Sequence, residues 1–360
     1  MGIGSPKLTK NHFGILSLSG EDVSPFRAGK MKQISQCNLC NHRNFTLLFQ
    51  AGDRMYKVPG LYGVQRCNRC GLIFINPQPD GTELSPHYPE NQYYPHRFPR
   101  FKNWLYSVLY SEQSPILQKL FFPLTLIMRS LKIVHGGNYL DVGCGSGAFM
   151  KIIESAGMKV FGVEPVKIGE NHSNMNYLNI FHGFLEEAEY PNDFFDLITL
   201  NHVLEHIHDP MKTLREIQRI LKPEGTLIIG VPQSESFAYR VFGKNWIQLD
   251  VPRHLYTFSR SMLKKYAEGS GFKIERVRYN SKPLQIYGSF FYLIAEILEK
   301  KWYFGESVLL KNQFVKVGVN LVLFPLVLLL NLFKWGDEVE FILSKEVDFA
   351  SSGRQNEERG

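Results

Sequence analysis

Four of the five cysteines fall into two pairs of equal spacing, Cys37-Asn38-Leu39-Cys40 and Cys67-Asn68-Arg69-Cys70. A C-x-x-C turn aims two sulfurs at one point, and two such turns complete a tetrahedral site. Four soft thiolates favour Zn(II) over harder cations. Gly71, after the second pair, gives the backbone the freedom a tight knuckle needs. Cys37, Cys40, Cys67 and Cys70 are therefore expected to hold a structural zinc with no open coordination position. Neither pair opens a βαβ unit, which argues against a redox dithiol.

A second group surrounds the run LDVGCGSGAF, where Gly143, Gly145 and Gly147 allow the backbone to pass close to a ligand. Such a loop could serve a dinucleotide equally well; the acids beside it narrow the choice. Glu164 ends the run KVFGVEP, where a carboxylate can take both hydroxyls of a ribose. Asp141, just before the loop, can hold the ammonium of an aminoacyl group. A third group is Asn201-His202-Val203-Leu204-Glu205-His206-Ile207-His208-Asp209, joined by His254 from PRHLYTFSRSML. On a helix, His202, Glu205 and His206 would approach one face. Three readings stay open. His206 or His254 acts as a general base, with Glu205 beside it. His202, Glu205, His206 and His254 hold a second, divalent metal. Or the four pack and hydrogen-bond without chemistry.

The surrounding pattern says what must position these groups. YLDVG is a short apolar run followed by the amphipathic AFMKIIESAG. KVFGVEP reads as a second strand, FFDLITLNHVLEH as a strand running into a helix, and LKPEGTLIIGVP as a turn and strand. Strands alternating with helices predict a parallel sheet covered on both faces, with the ligand at the carboxyl ends of the strands. Residues 76–100, rich in Pro, Tyr and His, read as a linker or a loop over the site. Residues 101–134 have helical apolar spacing broken by Pro115 and Pro123.

LDVGCGSG, the GVEP acid, FFDLITLNHVLEH and LKPEGTLIIGVP resemble the class I S-adenosylmethionine methyltransferases over residues 137 to about 279. The resemblance implies a doubly wound α/β fold with a seven-stranded Rossmann-like sheet. It implies that Asp141, Gly143, Gly145 and Glu164 contact S-adenosylmethionine and that Asn201 lies beside its methionine portion. In that family an acid near HGFLEE reads the adenine amine; Phe184 occupies the position here and Glu186 stands in. The cysteine pairs followed by CGLIFINPQP resemble a subgroup in which a zinc module precedes the class I domain. It includes sugar C-methyltransferases and enzymes of surface-polysaccharide or natural-product pathways. The histidine cluster with His254 is similar to that of small-RNA 3′-terminal 2′-O-methyltransferases. There, Glu-x-x-Glu-His and a distal His bind a divalent metal, and His202 stands at the first Glu.

By the same resemblance, FKIERVRYN and EVEFILSK are the last two strands of the sheet and pair antiparallel. Between them lies VGVNLVLFPLVLLLNLF, residues 317–333, without a charge. As a helix it would be about 25 Å long, short of a bilayer core of about 30 Å. Two strands of one sheet flank it, so a single crossing is impossible. Residues 284–336 are expected to form a helical hairpin on a membrane surface, or a homodimer or lid helix.

The 360 residues are 44% hydrophobic and 21% charged, which excludes wholesale disorder, and the net charge is +7. The basic residues are scattered, which argues against nucleic acid. Too few cysteines are present for a disulfide scaffold, and no apolar signal-peptide core opens the chain. We expect a cytoplasmic enzyme, peripheral on the inner face of the membrane if the hairpin meets lipid. The expected organisation is a disordered leader (1–31), a zinc module (32–80), a linker with helices (81–136), the methyltransferase domain (137–349) and a disordered tail (350–360). The expected reaction moves a methyl to oxygen or carbon of a sugar, polysaccharide precursor or related metabolite. A quinone or other lipid, an RNA, and a non-catalytic cofactor-binding adapter are the alternatives.

Overall fold

Apolar strands of five to seven residues can bury both faces only when helices cover the sheet from both sides. The computed structural model describes residues 9–10, 16–17, 31–88, 133–165, 179–300, 302 and 312–346. Nearly all of the leader and of the helices expected over 101–134, and the whole tail, lie outside them.

In chain order the main elements are β1 (Phe45–Ala51), β2 (Tyr62–Cys67), β3 (Ile73–Asn76), β4 (Asn138–Val142), α1 (Ala148–Ser155), β5 (Lys159–Val163), β6 (Asn179–Phe181) and β7 (Phe195–Asn201). Then come α2 (Pro210–Ile220), β8 (Leu221–Pro232), α3 (Phe237–Phe242), β9 (Tyr256–Thr257), α4 (Arg260–Gly269), β10 (Phe272–Tyr279), α5 (Pro283–Ile297), α6 (Gln313–Leu332) and β11 (Glu338–Lys345).

The main sheet has seven strands in the order β6-β5-β4-β7-β8-β11-β10. All neighbours are parallel except at β11, which runs against both β8 and β10. The chain leaves β4 toward one edge and returns to β7 on the other side, so the switch point lies between these two strands. Side chains alternate between two cores. Leu140, Ile198 and Ile229 join Leu214 and Ile217 of α2 and Leu263 of α4. Tyr139, Leu197 and Ile228 join Met150 and Ile153 of α1. The strands are thus buried on both faces, as their unbroken apolar runs require.

The cysteine segment is not a separate bead. β9, from the far side of the chain, pairs with β3 and completes a small sheet β9-β3-β2-β1. Cys37, Cys67, Leu72 and Phe74 belong to the same core as β7 and β8. Residues 78–88 depart from the expected loop: Gln78–Pro79 is a short strand and Gly81–Leu84 a helical turn. Asp80 explains the turn, since its carboxylate accepts from Glu83 N at 3.2 Å and its carbonyl from Leu84 N at 2.9 Å.

Helices α5 and α6 lie between the paired strands β10 and β11, as an insertion in the sheet. α5 approaches residues 247–249 through Gly288, where a Cβ would stand 2.2 Å from Ile247 Cδ1. Gly288→Ala gains up to about 1 kcal/mol of helix propensity and incurs about 1–3 kcal/mol of overpacking. We expect net destabilisation in denaturant titration, and Ile247→Ala in the same chain should be less harmful than in wild type. Additive losses would show that the two side chains do not meet.

Candidate functional site

The carboxyl ends of β4, β5 and β7 converge. Gly143, Gly145 and Gly147 have φ of 70°, 51° and 68°, a region that L side chains resist. The N–H groups of Gly143 and Cys144 donate to the Val163 carbonyl at 2.7 and 3.1 Å, fastening the loop to β5. Gly145 N–H donates to Glu164 Oε2 at 2.9 Å, and Glu164 is buried. A Cβ on Gly143 would lie 2.4 Å from Val203 Cγ2, so the loop also abuts the segment after β7. Asn201 stands exposed at the end of β7.

Asp141 is buried in the middle of the sheet. Thr199 Oγ1 donates to its Oδ1 at 2.9 Å, so Tyr139 must donate to Thr199, 2.6 Å away. Burial pushes the Asp141 carboxyl up to about 7, and nearby Glu164 adds to the shift. A buried carboxylate of this kind suits a cationic partner. Glu186 is engaged elsewhere: its Oε1 accepts from Thr213 of α2 at 2.7 Å, while Phe184 is exposed.

The segment after β7 is not the expected helix. His202 takes a left-handed φ of 55°, a single 3₁₀ turn covers Leu204–His206, and α2 starts only at Pro210 behind the Asp209 cap. The turn separates the residues that a helix would have aligned. His202 swings toward the sheet edge, with Nε2 3.0 Å from Glu338 Oε1 and Nδ1 3.4 Å from Glu205 Oε1. Burial alone would lower its pKa, but Glu338 and Glu205 raise it to about 9.

Glu205, His206 and His254 do come together, with ligand-type atoms within 4.8 Å of one another. His206 Nδ1 lies 2.9 Å from the Arg253 carbonyl, and His254 Nδ1 lies 2.7 Å from the Gln248 carbonyl. A carbonyl only accepts, so both rings carry hydrogen on Nδ1 and leave the Nε2 lone pair bare. His254 Nε2 faces Glu205 Oε1 at 3.8 Å. Glu205 is buried, and among the described residues neither of its oxygens receives a hydrogen bond of good geometry. Burial and the adjacent His254 hold His206 down at about 4.

Three groups here escaped the sequence reading. Tyr88 OH lies 3.1 Å from His206 Nδ1. Arg253 is buried between Asp53 Oδ2 at 2.7 Å and Asp250 Oδ1 at 2.5 Å. His87 Nδ1 meets the same Asp53 carboxylate at 2.7 Å. Only the run Pro-Arg-His hints at Arg253, and Tyr88 is covered only by the reading of residues 76–100 as a linker or a loop over the site; nothing local points to Asp53.

The four cysteines form the second candidate centre. Sγ–Sγ distances are 3.6 Å for Cys37–Cys70 and 3.5 Å for Cys40–Cys67, and all four sulfurs lie within 4.8 Å. Tetrahedral bonds of about 2.3 Å would put sulfurs about 3.8 Å apart, so the cradle fits zinc. Asn41 and Gly71, with φ of 58° and 81°, turn the two knuckles and donate N–H to the Cys37 and Cys67 carbonyls.

A family model described as a methyltransferase domain matches residues 117–277. That stretch, somewhat under half of the chain, is thus similar to methyltransferase domains. The domain is similar to ubiquinone biosynthesis O-methyltransferases of Coxiella burnetii, 26% identical over 39% of this chain and 65% of that protein, and of Actinobacillus pleuropneumoniae, 28% identical over 38% and 64%. The chain thus spans less than two thirds of the length of these relatives. Solved structures with similarity include the [4+2]-cyclase SpnF (17% identity, 75% of this chain and 97% of that one, TM-score 0.45). A possible histamine N-methyltransferase of Thermotoga maritima is also similar (18%, 68% and 94%, TM-score 0.40). The fold itself rests on the observed strand order of the seven-stranded sheet.

His202 binds its proton more tightly in the fold than free, so its contribution to stability is complete below about pH 6.5 and is lost as pH rises through about 9. His202→Asn keeps a residue that tolerates positive φ and removes the titration. Thermal melts should show the wild type losing stability across that window and the variant losing less. Parallel curves would mean that His202 is not held by the two carboxylates.

Proposed function

We propose that this chain transfers a methyl group from S-adenosylmethionine to an oxygen or carbon of a sugar, polysaccharide precursor or related acceptor, free or carrier-linked. The observation that carries the reading is the convergence, at the switch point, of the positive-φ glycine loop, buried Glu164 and buried Asp141. Glu164 would take the ribose hydroxyls, Asp141 the ammonium, and Asn201 would border the methionine part. The cofactor supplies an electrophilic methyl on sulfur. The chain's work is to align the acceptor behind that methyl, exclude water and receive the acceptor's proton. His206 and His254 offer bare Nε2 lone pairs for the proton, and Glu205 would stabilise the imidazolium.

A second reading of the cluster is favoured by one observation. A carboxylate without hydrogen bonds faces an imidazole lone pair at 3.8 Å, and a divalent cation held by Glu205, His206 and His254 would relieve that. His202, committed to Glu338, stands outside this set. For the acceptor, a lipid quinone is the alternative, supported by the relatives' names and the apolar hairpin.

Calorimetry with S-adenosylmethionine tests the central reading. Glu164→Ala should weaken binding by about 2–3 kcal/mol. Wild-type affinity should fall below pH 7, by up to about tenfold per unit, because the ammonium needs an ionised Asp141. No heat with wild type would sink the reading.

We also propose zinc at Cys37, Cys40, Cys67 and Cys70. Metal analysis should find one zinc per chain that disappears in Cys67→Ser with Cys70→Ser, together with a lower melting temperature of the whole chain. Glu205→Gln should leave that zinc in place; loss of an additional metal in this variant would favour the second reading of the histidine cluster.

A further inference from the structure

From residue 317 onward α6 carries no charge, and an apolar helix with no charged face is normally buried all round. α6 is not: among its described side chains only Val327 and Leu330 are buried, while Leu321, Val322, Leu328 and Leu332 are each more than half exposed. Most exposed large hydrophobic side chains among the described residues fall between Phe290 of α5 and Trp335 after α6. Among the described residues no helix is long and apolar enough to cross a membrane. β10 and β11 pair with each other in one sheet, so the hairpin between them leaves and returns on the same side.

We propose that the α5–α6 hairpin is a docking surface for an anionic lipid bilayer. The charge around it supports this occupant. From residue 299 to 336 the sequence has lysines at 300, 301, 311, 316 and 334 against two acids, Glu299 and Glu306. Lys300 and Lys334 are exposed. Trp302 stands near the first and Phe333 and Trp335 flank the second, all exposed. Aromatic rings and cations at the rim of an apolar surface match a headgroup layer above acyl chains. A second copy of the chain would bring the same lysine-rich rim against itself, which like charges disfavour.

The surface is also rooted at the candidate site. Lys282, the cap of α5, holds Glu338 at 3.0 Å, and Gln285 donates to the same carboxylate. That carboxylate meets His202, which reaches Glu205. Resting on the methyl-transfer reading, the acceptor that reaches His206 and His254 is then one carried in or on the bilayer.

Flotation with phosphatidylcholine vesicles, with and without phosphatidylglycerol, tests the surface. The full chain should float with the anionic vesicles and lose binding as salt rises. Leu321→Asp and Leu328→Asp should each weaken binding about tenfold. Lys300→Glu with Lys334→Glu should weaken it by about fivefold per lysine on anionic vesicles only. These lysines are exposed, so this variant reports on docking even if the leucine variants fold poorly. Absence of flotation, or flotation indifferent to all these changes, overturns the proposal. So does a concentration-dependent dimer, seen in sedimentation without flotation and broken by Leu321→Asp. Flotation is read without cofactor, so its failure leaves the methyl-transfer reading standing. Flotation without any calorimetric signal for S-adenosylmethionine would sink that reading alone.

Discussion

The guanidinium of Arg253 is almost wholly buried, and a buried cation must be paired or the fold cannot tolerate it. Asp53, from the loop after β1, and Asp250, from the loop before β9, supply the pair. Burial would raise the Asp53 carboxyl, yet His87 and Arg253 hold it at about 2, so it is fully ionised at neutral pH. Removing one member of such a pair typically costs about 3–5 kcal/mol, because the charge left behind is stranded. This is the joint of the molecule. It fixes the loop that carries His254, and the Arg253 carbonyl, on the same residue, holds His206 by Nδ1. The orientation of both imidazoles therefore depends on an aspartate 200 positions away in sequence.

The cysteine segment takes its role from this joint. Asn38, inside the first knuckle, donates to Tyr256 OH at 2.8 Å and accepts from Tyr266 OH at 2.5 Å. Tyr256 OH in turn donates to the His208 carbonyl. The knuckle, β9 and the segment that follows β7 are thus one hydrogen-bonded unit, sharing a core with the main sheet. A metal that orders the knuckle would order part of the acceptor side of the site as well, without touching the acceptor.

What could be read in the sequence was what depends on neighbours along the chain. The glycine loop, Asp141 and Glu164 sit at strand ends, and strand ends follow from apolar runs of fixed length. The cysteine cradle follows from spacing alone, and the hairpin from an uncharged run between two strands. The errors came where the backbone is set by tertiary contact. Residues 201–209 have helical spacing, yet His202 is drawn into a left-handed turn by Glu338, which lies beyond both hairpin helices in sequence. Glu186, expected near the adenine, has one carboxylate oxygen taken by Thr213 of α2, a partner no local pattern shows. Asp53 carries no local signature and Tyr88 only that of a Tyr-rich stretch, because their partners lie 200 and 118 residues away.

Electrostatics divides the site in two. On the cofactor side, Asp141 and Glu164 are buried carboxylates whose mutual repulsion and loss of water raise Asp141, leaving a deficit that a cation would fill. Around the histidine cluster, Glu205 is also buried, but His202 holds it ionised. His202 is committed to Glu338 as well, so its charge is shared between two carboxylates. Among the described residues, Glu205 Oε1 and His254 Nε2 face one another at 3.8 Å without a hydrogen bond between them. Whatever binds between them must bring positive charge, as a proton released by the acceptor or as a metal ion. On the proposed methyl-transfer reading, a positively charged methyl donor would lie against Asp141 and Glu164, and the acceptor's proton would pass to the histidine cluster. That division needs both the sheet that buries Asp141 and the Arg253 joint that turns the two histidines inward.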